Sequence, residues 1–304
     1  MSGTNDAGGP GGMNGTTDAG GTTDTDRVVL ITGCSSGIGL ETAVAAAGAG
    51  FRVVATMRDP DKAGPLLQAA SGASVAVDVR RLDVTDEESI DACLKEVLAE
   101  YGRLDIVVNN AGGANSFATI ETATMAEYRA NLEVNFFGVV AVTRAALPHL
   151  RATGGRVVTV GSTRGLIGQP FNEGYSAAKF AVEGFFESLA PTVAAMGVSV
   201  VLVEPGPVLG TAWGPNSGLT REGLLTAAGP YADILERYMA WVADSGYPGA
   251  QNGAEVAEVV VEALKAENPD FRIPTSAWAR EYAALKLVEV SGAAVQDMAR
   301  TWLA

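Results

Sequence analysis

The chain is poor in residues that hold metals or crosslinks. It has two cysteines, Cys34 and Cys93, and one histidine, His149. Two cysteines cannot build a disulfide framework, and neither has a Cys or His neighbour at ligand spacing, so no metal site is expected. The same scarcity fits a cytoplasmic location. Basic residues are the minority charge: 21 Lys and Arg against 35 Asp and Glu give a formal net charge of −14. A chain this acidic lacks the basic face that neutralises phosphates, which argues against DNA or RNA as a partner. It offers an anionic membrane surface no attraction either. No uninterrupted apolar run approaches the ~20 residues of a membrane span. What remains is ordinary globular make-up over 304 residues, 47% hydrophobic and 18% charged, ample for a core.

Residues 1–26 are Gly, Thr, Asp and Asn with almost nothing apolar and no Lys or Arg. They lack the basic start and apolar stretch of a secretory signal. They cannot bury enough surface to offset their ordering entropy, so a disordered tail is expected, with one catalytic domain over 27–304.

From Arg27 the pattern changes. Val28–Ile31 reads as a strand buried on both faces; Thr32–Gly39 is a glycine turn; Leu40–Gly48 is helical; Phe51–Thr56 is a second strand. That is a βαβ unit. Further strands are expected near Val75–Asp83, Leu104–Asn109, Arg156–Gly161, Val198–Val203 and Phe271–Ile273. Helices are expected from Asp86 to Tyr101, Thr124 to Leu150, Gly174 to Met196, and Ala254 to Ala266, with another at the C-terminus. The implied fold is α/β: a single Rossmann-type, doubly wound parallel sheet with helices on both faces. Residues 207–250 break the rhythm with Gly, Pro and Asn around an amphipathic stretch, Tyr231–Trp241, and read as a helical lid over the strand ends.

The glycine turn lies at the carboxyl end of the first strand, where a parallel sheet binds its ligand. The helix starting near Gly37 offers free N–H groups to a pyrophosphate, and Gly33, Gly37 and Gly39 allow close backbone approach. A glycine-rich turn without a ligand would carry the same spacing. At the end of the second strand, Met57 cannot accept bonds from ribose hydroxyls as an acid would. Arg58 can pair with a 2′-phosphate, and Ser36 could add a hydroxyl, which favours NADP(H) over NAD(H). The alternative is a solvated loop arginine beside a helix-capping Asp59.

Tyr175 and Lys179 are four apart at the start of a helix, one turn apart on one face. A nearby ammonium lowers the pKa of a phenol, so the pair makes sense as a general acid/base. Ser162 ends the strand from Arg156, at the same sheet edge, where a hydroxyl can hold a substrate oxygen. Thr163 competes for that task. Asn135 lies inside a helix, where Asn has poor propensity, which suggests a held water or a backbone kink.

These segments resemble the short-chain dehydrogenases/reductases in order and spacing: Thr32–Gly39, Asp83-Val84, Asn109–Gly112, Asn135 with Gly138, Ser162, Tyr175–Lys179, and Pro205-Gly206. Thr32–Leu40, Ala55–Asp59 and Gly168–Asn172 look most like the steroid and retinol dehydrogenase branch. The resemblance implies that Tyr175 exchanges the substrate proton, Lys179 binds the nicotinamide ribose and lowers the Tyr175 pKa, Ser162 orients the substrate oxygen, and Asn135 holds a relay water. It implies a cofactor cradle of Gly33, Ser35, Ser36, Gly37, Ile38 and Gly39, with Arg58 beyond it. Asp83 and Val84 would meet the adenine, and Asn110, Ala111 and Gly112 the adenosine ribose side. Pro205, Gly206 and Val208 would bind the cofactor as well, and Thr211 would reach the carboxamide. A homodimer or homotetramer is implied as well.

His149, the lone histidine, reads as a helix-end residue, because the tyrosine chemistry does not need it. The expected activity is an NADP(H)-dependent oxidoreductase that interconverts an alcohol and a ketone or aldehyde. An apolar lid suits a bulky apolar small-molecule substrate. The alternatives are a non-catalytic dinucleotide-binding sensor or scaffold, which would have no need of Ser162, Tyr175 and Lys179 together, and a nucleotide-sugar epimerase. The latter would need a larger C-terminal domain than the residues after Pro205 supply.

Overall fold

The computed structural model describes residues 27–113, 118–210, 220–245 and 248–301. The expected tail at 1–26 and Thr211 lie outside them. The described strands form one sheet in the order β3-β2-β1-β4-β5-β6-β7, every neighbouring pair parallel. They are β1 Val28–Thr32, β2 Arg52–Met57, β3 Asp78–Arg81, β4 Ile106–Asn109, β5 Arg156–Val160, β6 Ser199–Glu204 and β7 Arg272–Pro274. The strand order reverses between β1 and β4, and that switch point opens a crevice at the carboxyl edge.

Alternation along the central strands builds two cores. Val28 and Leu30 face one cluster, which holds Ile90 and Leu94 of α3 (Glu87–Tyr101), Val142 of α5 (Gly138–Thr153) and Phe186 of α6 (Glu173–Ala194). Val29 and Ile31 face the other, with Leu40 of α1 (Gly37–Gly48), Leu66 of α2 (Gly64–Gly72) and Val260 of α9 (Gly253–Lys265). Full burial on both faces explains why these strands read as continuous apolar runs.

Local chemistry sets the helix ends. Asp86 accepts from the N–H groups of Glu88 and Ser89 at 3.1 and 3.2 Å to start α3, and Gly102 ends it at φ +70°. Thr124 and Glu127 form a capping box on α4 (Met125–Leu132). The long helix expected over 124–150 is interrupted: α4 passes through a π-helical turn, Glu133–Phe137, into α5. Asn135 sits in that turn, which bears out the backbone-kink reading. The strand expected at 75–83 is only the four residues of β3, because this edge strand is half-exposed and lacks a buried run.

The lid contains α7 (Arg221–Ala228) and α8 (Ala232–Asp244). Its own small core joins Ala228 and Leu235 to Phe171, with Leu224, Tyr231, Tyr238 and Met239 around them. Helices α10 (Ala277–Ala284) and α11 (Ala293–Thr301) complete the described chain. No helix among the described residues is long and apolar enough to cross a membrane.

Candidate active site

The glycine turn is held open from behind. Thr32 Oγ1 accepts from the backbone N–H groups of Asn110 and Ala111, both at 3.0 Å. The Asn110 amide donates to the carbonyls of Thr32 at 2.9 Å and Gly33 at 3.2 Å. Asn110 therefore staples β4 to the turn, and its amide faces the protein. Gly33 takes φ +75°, and a Cβ there would lie 2.8 Å from Ala111 Cα. A Cβ on Gly39 would overlap the Gly33 carbonyl and the Asn110 amide. The first turn of α1 has no acidic residue, and its N-cap Ser36 makes no side-chain cap bond. The helix thus leaves its leading N–H groups to an anion, over a cradle that only glycine permits. These residues fit a dinucleotide.

Around this cradle, Arg58 is exposed just after β2, while Met57 is buried. Asp59 caps the short helix Pro60–Lys62, accepting from Asp61 N at 3.2 Å, which is what the alternative reading of this segment expects of it. Asp83 accepts from the backbone and hydroxyl of Thr85 at 3.0 and 2.8 Å. Val84 is buried against Gly138, where a Cβ would come within 2.7 Å of it. Val208 bridges to Gln251 beyond Pro205-Gly206.

Ser162 and Tyr175 meet at the carboxyl edge of β5. Ser162 is half-buried and caps the short helix Thr163–Gly165, while Thr163 is 2% exposed with its N–H on the Pro205 carbonyl at 3.0 Å. Of the two hydroxyl residues, Ser162 is the one that acts on the Tyr175 phenol. Burial pushes the Tyr175 phenol up to about 12; the neighbouring Ser162 and the Arg164 charge pull it down, and Glu204 pushes it up. Lys179, one turn on, is 6% exposed; its Nζ lies 5.7 Å from the Tyr175 ring centroid and donates to the Val160 carbonyl at 2.9 Å. Burial holds this ammonium down, at about 8. The groups that lower the Tyr175 pKa here are thus Ser162 and Arg164.

Asn135, fully buried, clamps the loop after β4: Oδ1 accepts from Gly113 N and Nδ2 donates to Gly113 O, each at 2.9 Å. Its amide also donates to the Asn131 carbonyl. The other flank of Tyr175 is walled by Tyr128, Asn131 and Glu173. Three of their atoms, Tyr128 OH, Asn131 Oδ1 and Glu173 Oε2, are buried without a partner among the described residues. Nothing in the sequence singles these out.

The lid is tied to the same edge. Gln169 Nε2 donates to Tyr238 OH at 2.6 Å, and the Phe171 and Tyr238 rings lie 6.1 Å apart. Phe171 adopts φ +59°, an unusual conformation for a bulky residue, held by its place in the lid core.

The remaining candidates lie elsewhere. His149 is half-buried near the end of α5, which leads to the amino edge of β5, away from the site. Cys34 packs under the turn, its Sγ on the Ile31 carbonyl at 3.2 Å, and burial pushes its thiol up to about 12. Cys93 is buried in α3, its thiol up at about 11. Neither has the lowered pKa of a reactive thiol. Among the described residues no group of three His, Cys, Asp or Glu is placed to hold a metal.

A family model described as short chain dehydrogenase matches residues 27–220. Retinol dehydrogenase 8 of Bos taurus is 38% identical over 280 residues, covering 88% of this chain and 88% of that protein. Human 17-beta-hydroxysteroid dehydrogenase type 1 is 39% identical over 264 residues, covering 82% of this chain and 77% of that protein. Among solved structures, a short-chain dehydrogenase from Streptomyces avermitilis superposes with a TM-score of 0.70 at 33% identity, covering 85% of this chain and 91% of that one.

Proposed function

The chain belongs to the short-chain dehydrogenase/reductase family, NAD(P)-dependent oxidoreductases acting on CH–OH groups, and on that footing we propose that it is an NADP(H)-dependent enzyme interconverting an alcohol and a ketone or aldehyde. The observation that carries this reading is the meeting of Ser162, Tyr175 and Lys179 at the sheet edge that holds the glycine cradle: Ser162 acts on the Tyr175 phenol, and Lys179 Nζ stands 5.7 Å from the Tyr175 ring centroid.

When bound, the nicotinamide supplies or accepts the hydride. Gly33, Ser35, Ser36, Gly37, Ile38 and Gly39 would hold the pyrophosphate, and Arg58 with Ser36 the 2′-phosphate. Asp83 and Val84 serve the adenine; Ala111 and Gly112 line the ribose side, held in place by Asn110. Pro205, Gly206 and Val208 flank the nicotinamide. Thr211 would reach the carboxamide.

Ser162 orients the substrate oxygen, and Tyr175 gives up its phenolic proton in reduction and takes one in oxidation. Lys179 has donors left after the Val160 carbonyl, free for a ribose hydroxyl. Against the upward push of burial, Ser162 and the Arg164 charge lower the Tyr175 pKa. Asn135 keeps Gly113 and its neighbours in register; with its amide already on Gly113 and Asn131, we assign it to holding the loop first, and to a relay water only through its second Oδ1 lone pair. The substrate is a bulky apolar molecule. The apolar lid and the printed names of the retinol and hydroxysteroid dehydrogenases favour this. We propose a homodimer or homotetramer in the cytoplasm; light scattering of the purified protein tests the assembly.

The direct test of the chemistry is Tyr175→Phe. Turnover of a bulky ketone with NADPH should fall by at least about 10²-fold while cofactor affinity stays within about threefold. A loss below about tenfold overturns the role.

A further inference from the structure

Glu204, the last residue of β6, is 0% exposed. A carboxyl there is costly unless its charge is answered. The charged groups packed around it are Lys179 and Glu183 of α6 and Arg272 of β7. Arg272 is already committed: its Nε reaches both Glu183 oxygens at 3.0 and 3.1 Å, and its Nη2 reaches one at 2.5 Å. Lys179, by contrast, meets only a neutral acceptor, the Val160 carbonyl. Two residues along, the Ser162 N–H donates to Glu204 Oε2 at 2.8 Å, while Oε1 has no hydrogen-bond partner among the described residues. Between them, Gly161 has no room for a side chain, because a Cβ would overlap Oε1. Lys179 and Glu204 therefore press on the same stretch of backbone, Val160–Ser162.

We propose that Glu204 is a positioning residue: its carboxylate is the counter-charge that keeps Lys179 an ammonium, and the acceptor that fixes the Ser162 backbone. The proposal rests on the reading of Ser162, Tyr175 and Lys179 as the reacting group. Burial drives Lys179 towards its neutral form, and Glu204 is the group that opposes this. Burial, with Glu183 adding to it, holds the Glu204 carboxyl well above the usual carboxylate range, and Lys179 and then Arg272 oppose that. The two hold their charges together or lose them together.

The test needs neither substrate nor cofactor. The chain has five lysines, so ¹³C labelling of lysine side chains gives few signals, and Lys179→Arg identifies the one in the site. In Glu204→Gln the Lys179 titration midpoint should fall by at least about one pH unit relative to wild type. A midpoint unchanged within about 0.2 unit overturns the proposal. If Glu204→Gln does not fold, Lys179→Met reads the pair from the other side. Followed by infrared spectroscopy against pH, its Glu204 carboxyl should lose its proton at higher pH than in wild type, and identical profiles would overturn the pairing. In the enzyme, loss of the Glu204 charge lowers both the Lys179 and the Tyr175 pKa. The alkaline limb of carbonyl reduction in Glu204→Gln should therefore move to lower pH, and Glu204→Asp should restore it. A lysine shift in a protein that reduces no carbonyl would keep the pairing and discard the proposed function.

Discussion

Asn135 holds both peptide groups that flank the Gly113 Cα, accepting from the Gly113 N–H and donating to the Gly113 carbonyl, each at 2.9 Å. The π-helical turn Glu133–Phe137 places the amide there, and a Cβ on Gly112 would stand 2.6 Å from its Oδ1. The helix thus stores a kink to lock the loop that follows β4.

Asn135→Ala leaves the Gly113 N–H and carbonyl without partners. It should cost about 1–3 kcal/mol in denaturant-unfolding stability, the range for orphaned buried polar groups. It should weaken cofactor binding as well, since the loop loses its register. A variant as stable as wild type would mean that the clamp is replaced by water at no cost.

Gly39→Ala puts a methyl against the Gly33 carbonyl and the Asn110 amide, both fixed by the Thr32 hub. The turn must open. Dinucleotide affinity should fall at least about tenfold, equal to about 1.4 kcal/mol. Unchanged calorimetric affinity would place the ligand away from this turn.

The Cys34 thiol is pushed up to about 12 by burial. A group whose pKa is raised on folding contributes stability in full below its unfolded pKa, and that contribution is lost as pH rises towards the folded value. The window opens near pH 9, the ordinary value for the thiol. In Cys34→Ala the contribution is absent, so the stability gap between wild type and variant should narrow by about 1 kcal/mol from pH 7 to pH 10. Denaturant midpoints at the two pH values check it; a constant gap would mean the thiol ionises equally in both states.

Arg58→Asp replaces a cation exposed at the end of β2 with an anion that repels a 2′-phosphate and accepts from ribose hydroxyls. The ratio of NADP⁺ to NAD⁺ affinity should invert. An unchanged ratio would take Arg58 out of the cofactor site.

The parts legible in the sequence are those whose physics is local. Val28–Ile31 announces a doubly buried strand, Asp86 a helix start, and Tyr175 with Lys179 a shared face. Asn135 announces itself by poor helix propensity, though its partner Gly113 is a tertiary fact. Asn110 fits the family pattern on the ribose side, yet its amide is spent on Thr32 and Gly33, which only the β1–β4 pairing brings within reach. Lys179 was expected to act on Tyr175; its bond to Val160 depends on where β5 ends. Glu204 follows Val200–Val203 and reads as the polar end of a strand, since its meaning lies in residues from β5, α6 and β7. The positive φ of Phe171 is equally silent, because the lid core that holds it is assembled from residues more than fifty positions away.

The central claim is that this chain binds and uses NADP(H). Calorimetric titration with NADP⁺ and, separately, with NAD⁺ tests it most directly. NADP⁺ should bind at least about tenfold tighter, a gap of about 1.4 kcal/mol. Equal or tighter binding of NAD⁺ would contradict the part assigned to Arg58, and no binding of either would contradict the oxidoreductase reading itself.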